Sequence, residues 1–314
     1  MVSTHLAIYT HPACSSHDPG TRHPESAARL RAVLQALDDP RLATLQRIEA
    51  PRATREQLER VHDSAYVERI VASAPAEGQA RLDPDTVMSP GSLEAALRAA
   101  GAVCAAADAV LANETRRAFC AVRPPGHHAA RDQAMGFCIF NSVAVAAAHA
   151  LAVPDIERVA IIDFDVHHGN GTQDIFQHDV RVMYASSHQM PLYPGTGATN
   201  EHGDGNIVNA PLAPGAGSIE FRAAWEKRLL PELDLFRPQL LLISAGFDAH
   251  ARDPLADLKL ATDDYTWITQ RLCELADRHA DGRIVSTLEG GYDLVALGEC
   301  VAAHVAVLAN SAPM

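Results

Sequence analysis

The run Asp163-Phe164-Asp165-Val166-His167-His168-Gly169-Asn170-Gly171 closes an apolar stretch and offers carboxylate, carboxylate and imidazole at alternate positions. In an extended strand that alternation aims Asp163, Asp165 and His167 to one side, where they can share a cation. A D-x-D pair by itself more often caps the next helix, but the His-His-Gly-Asn-Gly joined to it favours an ion site. Asp248 stands in the same relation to its own apolar run, Leu240 to Ala245, after the Gly246-Phe247 turn. Asp165, His167 and Asp248 supply one nitrogen and two carboxylates, a donor set for a catalytic zinc that keeps a position open for water or substrate. Ferrous iron fits the same ligands. Two carboxylate charges offset the ion's own, so such a site needs nearby bases and donors to activate water.

Arg123-Pro124-Pro125-Gly126-His127-His128 can provide the base. Its rigid turn fixes where two adjacent imidazoles point. With unperturbed pKa values of about 6.5, one can take a proton from water and return it to a leaving amine while the other holds charge and geometry. A pair of hydrogen-bonded surface histidines is the plain alternative. Glu289-Gly290-Gly291-Tyr292 places a phenol behind a glycine pair, where its hydroxyl could stabilise a developing oxyanion.

These segments must be brought together by the elements between them. Strand-length apolar runs occur at 5–9, 118–122, 158–164, 181–186, 239–245 and 283–288, and helical patterns at 91–112, 141–152, 218–235 and 262–280. Strand, loop, helix, strand is the α/β pattern, and strands that read as continuous apolar runs are buried on both faces of a mostly parallel sheet. In such a sheet the ligand sits beyond the carboxyl ends of the strands, where His11, 123–128, 165–170, 186–188, 248–250 and 289–292 all fall. The stretches 74–88 and 188–217 read as long loops rich in Gly and Pro, and 1–314 as one domain.

Composition limits the alternatives. The 314 residues are 47% hydrophobic and 21% charged, an ordered core-forming chain, and the net charge of −13 repels nucleic-acid phosphates. No run of about 18 apolar residues predicts a membrane span. Met1 to Tyr9 lacks the pattern of a signal peptide, so the expected compartment is the cytoplasm. Six cysteines without a CxxC pair predict buried thiols, neither a disulfide framework nor a thiolate zinc site. No G-x-G-x-x-G opens a helix after the first strand, which argues against a dinucleotide enzyme. Heptads and basic amphipathic helices are missing too, which argues against a scaffold or a membrane-surface role. The 16 histidines, several in tandem or beside carboxylates, point to chemistry.

RPPGHHA, DFDVHHGNGTQDIF, GFDAHARDP and LEGGYDL, in this order, resemble the zinc-dependent histone deacetylase family of the arginase-deacetylase fold. The likeness extends to Arg22-His23-Pro24-Glu25 and Arg29, Gly136-Phe137-Cys138, Asn141, Pro194-Gly195-Thr196-Gly197 and Asn209-Ala210-Pro211-Leu212. It implies an eight-stranded parallel sheet sandwiched by helices, with a narrow tunnel leading to zinc. It makes Asp165, His167 and Asp248 the zinc ligands, His128 the main base and acid, His127 its electrostatic partner and Tyr292 the carbonyl-polarising donor. Asp163 would orient His127 and, with Ser186, Ser187 and the carbonyls of Asp165 and His167, hold a structural potassium. A second potassium would lie near Phe176, Asp179 and Val182. Phe137 and Tyr193 resemble tunnel walls that grip an aliphatic stem, with Gly136, Gly290 and Leu255 counted beside them in substrate binding, and Arg29 resembles an arginine beside an acetate exit.

Two positions depart from the best-known pattern. Asn170 stands where class I enzymes carry the aspartate that partners the second histidine. It makes the chain class II-like and raises the pKa of His128 less than a carboxylate would. Leu255 stands where polyamine-selective relatives carry a glutamate, which favours acyl-lysine in a peptide or protein over acetylpolyamines or other small acylated amines. A weakly catalytic acyl-lysine binding module is disfavoured by the presence of Tyr292. A two-manganese ureohydrolase is disfavoured by the tandem histidines. The likeness is to prokaryotic amidohydrolases and does not imply histones. A homo-oligomer is compatible with the chain.

Overall fold

A computed structural model describes residues 4–42 and 45–310; Met1–Ser3, part of the stretch read for a signal peptide, lies outside them. Its core is a sheet of eight parallel strands: β1 (Thr4–Thr10), β2 (Gln46–Glu49), β5 (Thr115–Cys120), β6 (Val159–Asp163), β7 (Val182–Gln189), β8 (Ile207–Leu212), β9 (Leu240–Ala245) and β10 (Ile284–Leu288). They are ordered β2-β1-β5-β10-β9-β6-β7-β8. The remaining pair, β3 (Ala80–Arg81) and β4 (Val87–Met88), forms a small antiparallel ribbon.

The central strands are apolar throughout, VAIID in β6 and LLLISA in β9, and every residue of both is buried. This is what a parallel strand covered by helices on both faces requires. Alanine-rich α4 (Ser92–Leu111) and α5 (Ser142–Ala150) pack on each other; α4 lies on β1, β5 and β10, and α5 on β6 and β9. A second group, α1 (Ala27–Ala36), α9 (Thr262–His279) and α10 (Leu294–Asn310), is built around α10, which lies on β1 and β5. Small helices α2 (Arg55–Glu59), α3 (Ser64–Ala72) and α6 (Asn170–Phe176) complete the connections. Among the described residues no helix is long and apolar enough to cross a membrane, and the six cysteines are buried and form no disulfide.

The fold departs from the sequence expectation in three places. The stretch 188–217 is not loop throughout: it contains β8, whose Asn209 and Pro211 give it a loop-like composition that an edge strand tolerates. The stretch 74–88 contains the β3–β4 ribbon. The helix expected at 218–235 is α7 (Ser218–Ala224), a π-helical turn Trp225–Leu229 and α8 (Leu230–Phe236). Helices α1, α2, α3, α6 and α10 lie outside the patterns the periodicity singled out.

Candidate active site

Five neighbouring strands, β5, β10, β9, β6 and β7, present their carboxyl ends side by side, and the polar segments foreseen there converge. Ligand atoms of Asp165, His167 and Asp248 all lie within 4.8 Å of one another. His167 Nδ1 is 3.1 Å from Asp165 Oδ1 and 3.2 Å from Asp248 Oδ2. The outer oxygens are fixed by backbone: Gly290 N–H donates to Asp165 Oδ2 at 2.8 Å, and Val166 N–H to Asp248 Oδ1 at 2.9 Å. Apart from that 3.2 Å contact with His167, itself a candidate ligand, Asp248 Oδ2 is buried and accepts no hydrogen bond, an arrangement that costs stability unless a cation completes it. Burial, and then the charge of Asp165, push the Asp248 carboxyl up to about 7. Space is kept by two glycines. A Cβ on Gly246 would lie 2.0 Å from Asp165 Oδ2, and one on Gly290 2.1 Å from Asp248 Oδ2. A buried carboxylate oxygen met only by another candidate ligand, in a cradle a single methyl would fill, fits a metal ion.

The tandem histidines leave β5 into the same space, their ring centroids 4.0 Å apart. His127 Nδ1 faces Asp163 Oδ2 at 3.0 Å, and Tyr184 donates its hydroxyl to the same oxygen at 3.0 Å. His128 Nδ1 is 2.8 Å from Asn170 Oδ1. A carboxamide oxygen only accepts, so Nδ1 carries the proton and Nε2 keeps its lone pair. The two rings differ in charge. For His127, burial alone would lower the pKa, but the carboxylates of Asp163 and Asp165 raise it to about 10. For His128, burial and the neighbouring His127 and His167 push it well below the usual imidazole value.

Tyr292 stands on the loop after β10. Its backbone N–H donates to Asp253 Oδ2 at 2.7 Å, and the Arg29 guanidinium lies 4.8 Å from its ring centroid. Burial raises the phenol well above its ordinary value, so the hydroxyl is a donor. Arg29, fully buried, donates to Gly291 O at 2.6 Å and to Glu289 O, and pairs with Glu25 at 3.2 Å. It thus ties down the loop that carries the tyrosine.

A cavity of about 240 Å³ joins these groups, lined in part by His127, His128, His167, Gly136, Phe137, Tyr193, Leu255, Gly290 and Tyr292. The Tyr193 ring stands edge-on to His128 at 5.2 Å and Phe137 edge-on to Tyr292 at 6.1 Å. Phe137 has φ of 70°, a left-handed conformation a bulky residue adopts only where its surroundings compel it. Gly136 makes room: a Cβ there would lie 2.4 Å from the His128 ring.

The residues expected to hold potassium make the following contacts. Ser186 is opposite Asp163 in the β6–β7 register, with its hydroxyl 2.9 Å from His188 Nδ1. The Ser187 hydroxyl accepts from Trp225 Nε1 at 3.1 Å. Near Phe176, Asp179 and Val182, the three carbonyls are met by the Asn206 side chain. Three acids carry roles that sequence reasoning missed. Asp253 holds the Tyr292 loop and donates support to Leu255, accepting its N–H at 3.0 Å. Glu289 accepts from Gly126 N–H at 2.6 Å and His127 N–H at 3.2 Å. Asp85 lines the cavity. The only signals for the first two were their places inside GFDAHARDP and LEGGYDL.

Residues 23–308 match the family model described as "Histone deacetylase domain". The chain belongs to the histone deacetylase family. A "Histone deacetylase-like amidohydrolase" of Pseudomonas aeruginosa is 43% identical over 90% of this chain and 74% of its own length. A "Probable deacetylase" of Archaeoglobus fulgidus is 39% identical over 91% of this chain and 81% of its own. The crystal structure of the HDA15 HD domain superposes with a TM-score of 0.94 at 34% identity, covering 100% of this chain and 90% of that one. The eight-stranded parallel sheet flanked by helices is thus the histone deacetylase fold, and the activity is of the deacetylase and amidohydrolase kind, a hydrolase of acylated substrates.

Proposed function

We propose that this histone deacetylase family member is a zinc-dependent amidohydrolase that removes acetyl or another acyl group from the side-chain amine of lysine in peptides or proteins. The observation that carries the reading is the buried Asp248 Oδ2 beside Asp165 and His167, at a cavity walled by Phe137 and Tyr193. Zinc held by these three residues, or ferrous iron on the same donors, would polarise the acyl carbonyl and lower the pKa of a water. His128 Nε2, free and unprotonated, takes the proton of the attacking water and passes it to the departing amine. Tyr292 donates its hydroxyl to the carbonyl oxygen as negative charge develops there. His127 keeps its proton toward Asp163 and adds a fixed positive charge beside the reacting atoms. Phe137 and Tyr193 cover the methylene stem of lysine and exclude water. Asp163 and the Ser186 strand end would hold a structural potassium, with 1–314 acting as one domain in the cytoplasm.

Acetylpolyamines are the second reading. Asp85 in the cavity wall favours a second substrate ammonium, whereas Leu255 favours an apolar neighbour. Turnover of an acetyl-lysine peptide beside N-acetylputrescine and N8-acetylspermidine by the zinc-reconstituted protein separates them. Peptide hydrolysis is expected. It should fall about 10²–10⁴-fold in His128→Ala and about 10²–10³-fold in Tyr292→Phe, with metal content retained. Preference for the polyamines would move the substrate and keep the chemistry; no amide turned over with stoichiometric metal would end the proposal.

A further inference from the structure

The family resemblance implies a second potassium near Phe176, Asp179 and Val182, whose carbonyls converge at the corner where α6 runs into β7. The residues there do not fit one. Asn206, buried at 3% exposure just before β8, aims its carboxamide nitrogen at all three oxygens: 2.7 Å to Phe176 O, 3.1 Å to Asp179 O and 2.8 Å to Val182 O. Three carbonyls converging on one point form a patch of negative potential that needs a positive centre. An amide nitrogen carries two hydrogens with partial positive charge and no acceptor capacity, so it can fill that role without an ion. No carboxylate adds charge to the cradle, because Asp179 turns outward to Arg181, with contacts of 2.8 Å and 2.6 Å. The main chain of Asn206 closes the corner from the other side, its carbonyl accepting from Tyr184 N–H at 3.0 Å. Its Oδ1 has no partner. The opposite placement of the carboxamide would set four oxygens face to face, which only a cation could hold.

We propose that the Asn206 carboxamide takes the place of the second potassium, so that the α6–β7–β8 corner is closed by a side chain and is indifferent to monovalent cations. The consequence reaches the active site because α6 begins with Asn170, the partner of His128. The carboxamide fixes the far end of that helix. This inference is independent of the substrate reading and stands or falls by cation binding alone.

Diffraction from thallium-soaked crystals of the wild-type protein tests it directly, since thallium substitutes for potassium and scatters anomalously. No peak is expected between the Phe176, Asp179 and Val182 carbonyls; a peak there, with the Asn206 side chain rotated away, would overturn the proposal. Melting temperature in choline chloride against potassium chloride provides the second arm. Asn206→Ala should show a larger potassium-dependent rise in melting temperature than wild type, whose own response would come only from the Asp163 site, as the vacated cradle takes up an ion. An Ala variant whose melting is no more responsive to potassium than wild type would show that the carboxamide does not stand in for a cation. If that variant fails to fold in either salt, the wild-type diffraction result decides.

Discussion

Two adjacent histidines take opposite charge states at neutral pH because of what their Nδ1 atoms face. His127 meets a carboxylate and is held as imidazolium, its pKa raised to about 10 by Asp163 and Asp165 against the effect of burial. His128 meets a neutral carboxamide and, buried beside that cation, stays a free base. The division depends on Asn170 and can be shifted. In Asn170→Asp the added carboxylate favours the protonated ring and raises the pKa of His128, so its base form is lost at higher pH on acidification. The acid limb of the kcat/KM profile should therefore move to higher pH; an unmoved limb would remove His128 from the base role. Space is as decisive as charge at this scale. Gly290→Ala would set a methyl 2.1 Å from Asp248 Oδ2 and 2.6 Å from Asp165 Oδ2. Metal analysis should then show far less than one ion per chain while far-UV circular dichroism stays native. Most of these residues were legible in the sequence because ligands and histidines sit in compact motifs at strand ends. The space around them was not, since what a Cβ on Gly246 or Gly290 would strike belongs to a neighbouring strand's loop.

At the scale of elements, Glu289 binds together strand ends that are not consecutive in the chain. Its carboxylate accepts from the Gly126 and His127 amides after β5, and from the Ser244 hydroxyl on β9 at 3.2 Å. Burial raises this carboxyl to about 7. Glu289→Ala leaves two buried amide donors without an acceptor, at about 1–3 kcal/mol each, and releases the turn that aims both histidines. A displacement of that turn by about 1 Å is enough to lower kcat about 10²-fold. Glu289→Gln keeps an acceptor oxygen for the amides and should restore most of kcat and melting temperature. If Gln is as impaired as Ala, the carboxylate charge and not the clamp is what matters. Such a role could not be read beforehand, because a glutamate's partners depend on which strands become neighbours. The strands themselves were legible where burial on both faces made them apolar, as in β6 and β9. Edge strands were not: β2 is Gln-Arg-Ile-Glu, and β8 carries Asn209 and Pro211.

For the whole molecule, buried neutral histidines away from the site set the response to acid. His62 accepts from Asn141 N–H at 3.0 Å and is lowered to about 4 by burial. His304, between the Thr269 and Ser286 hydroxyls and ringed by Phe119, Phe164 and Phe247, is lowered to about 3. In the unfolded chain both protonate near their ordinary value of about 6.5, so below that pH the unfolded state binds the extra protons. Their contribution to stability is complete above that value and is lost as pH falls toward 4 and then 3, on the order of 3–5 kcal/mol each. Urea midpoints measured in steps from neutral pH downward should fall steadily over this range, and His304→Gln should flatten the slope; a midpoint flat with pH would contradict the assignment. The strand order has a consequence for synthesis as well. β10, translated last of the eight, lies between β5 and β9 in the middle of the sheet. A product that stops short of Ile284 would contain Asp165, His167 and Asp248 but have a gap through its centre, with no Gly290 amide to hold Asp165. The backbone that fixes Asp165 is therefore complete only once β10 and the Gly290 loop have been made.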